Sequence, residues 1–147
     1  MCGISGLLGP LARESGPIRE MVRVQHHRGP DASDHWLSEN PPVALGHNRL
    51  SILDLSDAGR QPMASRDGRY RIVFNGEIYN YLELREELDG PWIGGSDTEV
   101  LLAAWDRWGL AALPRLNGMF AFAIWDAEAR TLTCVRDRLG IKPFHYA

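Results

Sequence analysis

Residues 119–125 read MFAFAIW, a run of seven apolar residues that no charged or turn-forming residue interrupts. An apolar run of this length without alternation is typical of a strand that is covered on both faces. Residues 126–130 turn the chain, and residues 131–135 alternate in polarity, which predicts a hairpin partner for that strand. The fold therefore contains a sheet that needs a packed layer on each side.

Three amphipathic segments are predicted to be helices that can cover such a sheet. Residues 18–25 trace one face of a short helix, and residues 78–88 carry apolar side chains on one side and acidic ones on the other. The third helix begins at Ser96, because Ser96 and Glu99 have the spacing of a capping box, and it ends near Gly109.

Further strands are predicted over residues 2–8, 43–50 and 70–74. Because strands and helices are grouped along the chain and do not alternate, the order indicates an α+β layered sandwich and not a doubly wound sheet. A length of 147 residues with 44% hydrophobic content suits a single core. We therefore expect one domain over residues 1–147.

Composition gives no indication of a nucleic-acid or membrane partner. The chain has 16 basic and 19 acidic residues, a net charge of -3 without a long run of like charge. A membrane span needs about 20 apolar residues, and no signal peptide is recognisable, so we expect a cytoplasmic protein. In a reducing compartment Cys2 and Cys134 should be free thiols, with Cys134 packed as a small core residue. The histidines lack metal-ligand spacing, so no metal site is expected.

Cys2 is the residue with the clearest chemical potential. Removal of Met1 would leave a thiol and a free α-amine on the same residue. Because an α-amine has a pKa of about 8 and a thiol one of about 8.5, the amine can serve as a local base for the sulfur. The alternative is a chance cysteine in an ordinary strand.

Asn75 and Gly76 are predicted to lie where a strand stops and a helix is about to begin. There a side-chain amide and an adjacent backbone N–H can both point at one oxygen, the arrangement that stabilises a tetrahedral oxyanion. The alternative is a plain turn, since Asn-Gly is a common turn dipeptide.

Two charged residues could receive the ends of a free amino acid. Arg49 follows a predicted strand and could bind a carboxylate through two parallel N–H groups, whereas its alternative is a solvated surface arginine. Asp97 falls in the first turn of the third helix and could bind an ammonium group, whereas its alternative is a helix-capping residue. A free amino acid needs both an anion site and a cation site.

Motifs spread over nearly the whole chain resemble the class II (N-terminal nucleophile) glutamine amidotransferase domain of glutamine-hydrolysing asparagine synthetases. They are MCGI (1–4), HRGPD (27–31), GHNRLSILD (46–54), QPM (61–63), FNGEIYNY (74–81), GSDTE (95–99), GMFAFAIWD (118–126) and RDRLGIKP (136–143). The segment 49–52, RLSI, points to the asparagine synthetase branch of that class. Residues 32–36 depart from the family pattern, and we expect only a local loop difference there.

The resemblance implies a four-layer αββα sandwich of the N-terminal-nucleophile hydrolase type, with Cys2 at the end of a central strand. By the same resemblance, Cys2 attacks the side-chain amide of glutamine, forms a γ-glutamyl thioester and releases ammonia. Asn75 and the N–H of Gly76 would form the oxyanion hole.

The resemblance also implies how glutamine is held. Arg49 would bind the substrate α-carboxylate, and Asp97, with backbone from the segment that ends at Glu77, would bind the α-amine. Backbone groups of Leu50 and Ile52 would line the pocket.

The implied partners are glutamine and a synthetase domain or subunit that uses the ammonia to make asparagine from aspartate. No cofactor is expected in this chain, and ATP and Mg²⁺ are expected in the synthetase domain. Two alternatives stay open: a non-catalytic docking module, and an ammonia donor for the amidation of a different carboxylate in a specialised pathway.

The family's amidotransferase domain extends further than this chain, so we expect its C-terminal part and the synthetase domain to be absent. An open sheet edge would then lie beside the strand at residues 119–125. We therefore expect marginal stability, self-association (a homodimer, for example) or dependence on a partner. The alternative is that residues 136–147 cover the edge themselves.

Overall fold

A computed structural model describes all residues 1–147 and contains two antiparallel sheets flanked by helices. The helices and strands, in chain order, are β1 Gly3–Leu8, α1 Ser15–Val24, β2 Ala32–Glu39, β3 Pro42–Arg49, β4 Met63–Ala64, β5 Tyr70–Ile78, α2 Tyr81–Glu87, α3 Asp97–Trp108, β6 Gly118–Asp126 and β7 Thr131–Arg136. Short 3-10 segments join several of them. None of the helices is long and apolar enough to cross a membrane.

The first sheet has the strand order β1-β3-β2 and carries helix α1 on its outer face. Ile18 of α1 is fully buried in a cluster with Ala12 and Ala44, and Val22 is buried one turn further along the helix. The two side chains face the sheet because residues four apart share one face of a helix. The predicted helix over residues 18–25 is therefore confirmed.

The second sheet has the order β4-β5-β6-β7, with the apolar strand β6 inside it. Helices α2 and α3 cover its outer face through a large core cluster in which Phe122 is fully buried. Trp105 of α3 meets the Phe122 ring edge-on, with ring centroids 6.1 Å apart. A buried side chain of this size contributes roughly 1.5–3 kcal/mol. The predicted strand and its hairpin partner β7 are confirmed.

The inner faces of the two sheets pack against each other. Val43 and Leu45 of β3 meet Val73 of β5 and Ala123 and Trp125 of β6 in one buried cluster. Helices on both outer faces complete four layers, so the αββα sandwich is confirmed.

The position of β1 differs from the expectation. β1 pairs only with β3, so Cys2 precedes an edge strand and not a central one. Apart from Gly3, the residues of β1 are only partly buried, and Gly6 and Leu8 are exposed, as an edge strand allows. Residues 32–36, where only a local loop difference was expected, belong to β2, the other edge strand of this sheet.

The second sheet also corrects two expectations. The strand at residues 119–125 is paired on both sides, and the strand without an outer partner is β7. Cys134, on β7, is exposed and not a core residue, because an edge strand with few neighbours buries its side chains only partly.

Strand β5 continues through Ile78, four residues further than expected, so Asn75 and Gly76 lie within a strand and not in a turn. They pair with Ala121 and Phe120 of β6. Gly76 is suited to this place because a Cβ there would collide with the carbonyl oxygen of Met119. The alternative of a plain Asn-Gly turn is wrong.

Helix α3 begins and ends as its sequence predicts. The Ser96 hydroxyl accepts a hydrogen bond from the Glu99 N–H at 3.2 Å, and Gly109 closes the helix with a φ of 54°. The Glu99 carboxylate, however, accepts hydrogen bonds from the N–H groups of Ile93 and Gly94. The capping interaction thus also ties the preceding loop to the helix.

Candidate active site

One cavity of about 180 Å³ lies where the ends of β1 and β3, the middle of β5 and the start of α3 come together. Its lining includes every residue that the sequence analysis assigned to a site: Cys2, Arg49, Leu50, Ile52, Asn75, Gly76, Glu77 and Asp97. The structure therefore unites side chains from both sheets and a helix in one place. The chemical role of each residue stays a prediction.

The Cys2 thiol is half-buried at the cavity wall, directly before β1. The Leu50 N–H donates to Sγ at 3.5 Å, and Sγ lies 3.8 Å from the Leu50 carbonyl oxygen. On the other side, Arg28 Nε donates to the Cys2 carbonyl oxygen at 3.1 Å. Both contacts of the sulfur are therefore with Leu50, directly after β3, while Arg28 anchors the Cys2 backbone. Met1 also lines the cavity.

Asn75 is buried, and its side-chain amide makes no hydrogen bond within the protein although it lines the cavity. Its neighbour Gly76 also has an unpaired N–H. Phe120, the residue opposite Gly76, exchanges hydrogen bonds with Asp137 instead, so the Gly76 N–H faces away from β6. A side-chain amide and a backbone N–H are therefore both free at this wall, as an oxyanion site requires.

Arg49 is buried, which excludes the alternative of a solvated surface arginine. Its guanidinium donates to the carbonyl oxygen of Ser56 at 2.7 Å and to that of Asp54. Gly59 lies so close to this guanidinium that a side chain there would collide with it. Arg49 therefore fastens the loop over residues 50–59, and the N–H groups it does not use remain available to a carboxylate.

Asp97 is the first residue of α3, while Ser96 is the capping residue. Its Oδ2 accepts a hydrogen bond from the Ile78 N–H at 2.9 Å, at the edge of β5. Burial raises the pKa of Asp97 to about 6, against the lowering effect of backbone hydrogen bonds from Ile78 and Thr98, and the charge of Glu77 raises it further. A cation in the cavity would favour the ionised carboxylate.

The remaining predicted site residues, Leu50, Ile52 and Glu77, form part of the cavity wall. Ile52 is 73% exposed and Leu50 is half-buried, and both line the cavity. The role expected of their backbone groups stays a prediction. Glu77 is half-buried beside Asp97. No cluster of three or more His, Cys, Asp or Glu side chains is arranged to hold a metal ion.

A family model described as a glutamine amidotransferase domain matches residues 1–147 of the chain. The chain belongs to this family. It is a glutamine amidotransferase domain, and the motifs that indicated the resemblance are therefore those of the family.

Three relatives illustrate the range of proteins that share this amidotransferase domain. Asparagine synthetase [glutamine-hydrolyzing] 1 of Bacillus subtilis is 44% identical over 99% of the chain, which covers 24% of that protein. Putative asparagine synthetase [glutamine-hydrolyzing] 2 of Methanocaldococcus jannaschii is 41% identical over 99% of the chain and is covered to 32%. Amidase chry2 of Gibberella zeae is 38% identical over 99% of the chain and is covered to 24%. The chain thus spans about a quarter to a third of the length of each relative.

Sequence reasoning did not assign two further buried residues of this cavity. Gln61 is buried and bridges β5 and α3, with its Oε1 accepting from the Phe74 N–H and its Nε2 donating to Thr98 Oγ1. Lys142 is buried, lines the cavity and makes no side-chain hydrogen bond or ion pair. Gln61 and Lys142 lie in motifs that carried the resemblance, so the signal was present, but neither spacing nor composition indicates what they contact.

Proposed function

We propose that this domain hydrolyses glutamine to glutamate and ammonia through a thioester at Cys2. The observation that carries the proposal is that a thiol, a free side-chain amide, a free backbone N–H, a buried arginine and a buried carboxylate line one cavity. The family to which the chain belongs agrees with this chemistry.

Substrate binding would use the two charged walls. The glutamine α-carboxylate pairs with the unused N–H groups of Arg49, and the α-ammonium pairs with the carboxylate of Asp97. Because the charged Asp97 is disfavoured by burial, an incoming cation relieves part of that cost. The side-chain amide of glutamine then extends towards Cys2.

Thioester formation begins when the α-amine of Cys2, free after removal of Met1, takes the proton from Sγ. The sulfur attacks the amide carbon, and the carbonyl oxygen becomes an oxyanion that accepts hydrogen bonds from Asn75 Nδ2 and the Gly76 N–H. The carbon–nitrogen bond then breaks, and the proton on the α-amine passes to the leaving nitrogen, which departs as ammonia.

Hydrolysis of the thioester repeats these steps with water as the nucleophile. The α-amine takes a proton from water, whose oxygen attacks the thioester carbon, and the oxyanion returns to the same two donors. The carbon–sulfur bond breaks, the proton returns to Sγ, and glutamate is released.

The fate of the ammonia rests on sequence outside this chain. Two of the relatives described above are named as glutamine-hydrolysing asparagine synthetases, and the chain covers about a quarter to a third of their length. We propose that a synthetase domain or subunit uses ATP and Mg²⁺ to activate aspartate, which the ammonia converts to asparagine. We place this reaction in the cytoplasm.

A second candidate keeps the same hydrolysis but changes the acceptor. Relatives named as amidases, one in Gibberella zeae and one in Penicillium rubens, are 38% and 37% identical to the chain. Ammonia from this domain could accordingly serve the amidation of a different carboxylate. Assays of the complete protein with ATP, glutamine and either aspartate or other carboxylic acids would distinguish the two acceptors.

Glutamate and ammonia release from glutamine tests the hydrolysis directly. Wild-type protein should release both in equal amounts, Cys2→Ala should release neither, and Cys134→Ala, which removes an exposed thiol away from the cavity, should behave as wild type. Mass spectrometry should find Met1 absent in active preparations. Absence of glutamate from the wild-type reaction would favour a docking module, and full activity with Met1 retained would exclude the amine as the base.

A further inference from the structure

Three N–H groups of β5 face the same unpaired edge. Strand β4 pairs only with Arg71 and Ile72, so β5 has no partner strand on that side beyond Ile72. Because alternate residues of a strand point their N–H groups to the same side, those of Phe74, Gly76 and Ile78 all face this edge. Such groups need other acceptors when they are buried.

Side chains satisfy two of these three groups. Gln61 Oε1 accepts the Phe74 N–H at 2.6 Å, and Asp97 Oδ2 accepts the Ile78 N–H at 2.9 Å. Both acceptor residues are buried and line the cavity. The N–H between them, that of Gly76, is left as the free donor of the edge.

The amide orientation of Gln61 is fixed by its two partners. Phe74 N–H is a donor and requires the amide oxygen, so Nε2 must face Thr98, whose Oγ1 it reaches at 3.2 Å. Thr98 is the residue after Asp97 in the first turn of α3. The helix therefore supports both acceptors that flank Gly76, one directly and one through a hydrogen bond.

We propose that Gln61 is a positioning residue that holds the Gly76 N–H in line with the oxyanion. This inference rests on the hydrolysis proposed above and concerns a residue with no assigned role in it. Without the Gln61 oxygen, the buried Phe74 N–H would lack an acceptor. A water molecule could then bind there, or the edge of β5 could shift towards another acceptor, and the Gly76 N–H two residues further would be displaced. A small displacement is costly, since a misplacement of about 1 Å can lower a rate on the order of 10²-fold.

The test compares Gln61→Met, Thr98→Val and Thr98→Ser with wild type in the intact protein. Gln61→Met removes both hydrogen bonds at similar side-chain size and should lower kcat for glutamine about 10- to 100-fold, with KM changed less than about threefold. Thr98→Val leaves the Gln61 amide free to rotate and should lower kcat about 3- to 10-fold in the same way. Thr98→Ser, which keeps the hydroxyl, should restore most of that loss.

Two controls separate positioning from general damage. Asn80→Leu removes a comparable bridging amide outside the cavity, one that accepts from the Asn117 N–H and donates to the Arg115 carbonyl, and should leave kcat unchanged. Alkylation of Cys2 by iodoacetamide needs no oxyanion hole, so its rate, read by peptide mass spectrometry, should match wild type in Gln61→Met.

Wild-type kcat in both Gln61→Met and Thr98→Val would overturn the inference while leaving glutamine hydrolysis intact. An equal fall in kcat and in the alkylation rate would also overturn it, because the whole cavity would then be disturbed. A wild-type protein that releases no glutamate would instead overturn the proposed function, and the inference with it.

Discussion

Replacing Asp97 by asparagine should make the protein more stable near neutral pH and less able to bind glutamine. The side chain is buried, and burial is the main cause of the rise of its pKa from an ordinary 3.8 to about 6. Asparagine keeps the shape and an oxygen for the Ile78 N–H but carries no charge. The substitution therefore separates the effect of the buried charge on stability from the contribution of the hydrogen bond to Ile78.

The size of the effect follows from the pKa. Because the folded protein binds the Asp97 proton more tightly than the unfolded chain does, stability is lost as pH rises through the interval from about 4 to about 6. The ionised carboxylate costs about 1 kcal/mol at pH 4.5 and about 3 kcal/mol at pH 7.5. A newly introduced amide NH₂ without a good acceptor offsets about 1–2 kcal/mol of this gain. Asp97→Asn should thus raise the free energy of unfolding by about 1–2 kcal/mol at pH 7.5.

Urea denaturation followed by tryptophan fluorescence, at pH 4.5 and at pH 7.5, measures the difference. Burial of His47 adds a pH dependence of its own, but that contribution is common to both proteins and cancels in the comparison. Asp57→Asn, which changes an 87% exposed carboxylate, is a matched control and should leave the pH dependence unaltered. In parallel, loss of a charged hydrogen bond to the substrate should raise KM for glutamine about 10- to 100-fold.

The reasoning would be refuted by an asparagine variant that is no more stable than wild type at pH 7.5 and follows the same pH dependence. An unchanged KM would separately remove Asp97 from ammonium binding. Greater stability together with a higher KM is the expected pair of results. The buried Asp97 charge lowers the stability of the fold, and its expected benefit is the binding of the substrate ammonium group.

Four further outcomes are expected. Asn75→Ala should lower kcat on the order of 10²- to 10³-fold with little change in KM, and a wild-type kcat would remove its oxyanion role. Arg49→Ala should chiefly raise KM. It should also lower the melting temperature, because the guanidinium donates to the carbonyl oxygens of Ser56 and Asp54, and an unchanged melting temperature would argue that these hydrogen bonds do not stabilise the loop. Burial lowers the pKa of His47 to about 4, so its NMR signals should stay those of a neutral ring until the pH falls near 4, and stability should fall as the pH drops from about 6.5 towards that value. Light scattering with a thermal melt should find self-association through the unpaired edge of β7, whereas a monomer that melts cooperatively at high temperature would contradict this.

Much of the fold could be predicted because the deciding signals are local. The unbroken apolar run of β6 and the alternation of β7 follow from strand geometry, and the Ser96 cap with Gly109 marks both ends of α3. The edge strand β2 was missed because edge strands tolerate polar residues, and it has Ser33, Asp34 and His35 in its first half. Asn40 and the two prolines after it lie at the β2–β3 turn and could have indicated a hairpin.

For the candidate site, too, the sequence predicted which residues line the cavity but not what surrounds them. The motifs of the resemblance selected residues that the structure places in one cavity, whereas their surroundings depend on pairing between remote segments. Asn75 and Gly76 have the local preferences of a turn, and only register with β6 keeps them in a strand. The burial of Arg49 and the bridge made by Gln61 likewise depend on a loop whose course no local pattern specifies.

The two sheets contribute different parts of the cavity. Cys2, directly before β1, and Arg49, at the end of β3, come from the first sheet, whereas Asn75 and Gly76 come from the second. A folding intermediate in which only one sheet has formed would hold either the nucleophile or the oxyanion donors, never both. Recovery of glutamine hydrolysis during refolding would therefore report the docking of the sheets specifically, later than the appearance of β-structure. A newly made chain would therefore have no glutamine hydrolysis until its two sheets have docked.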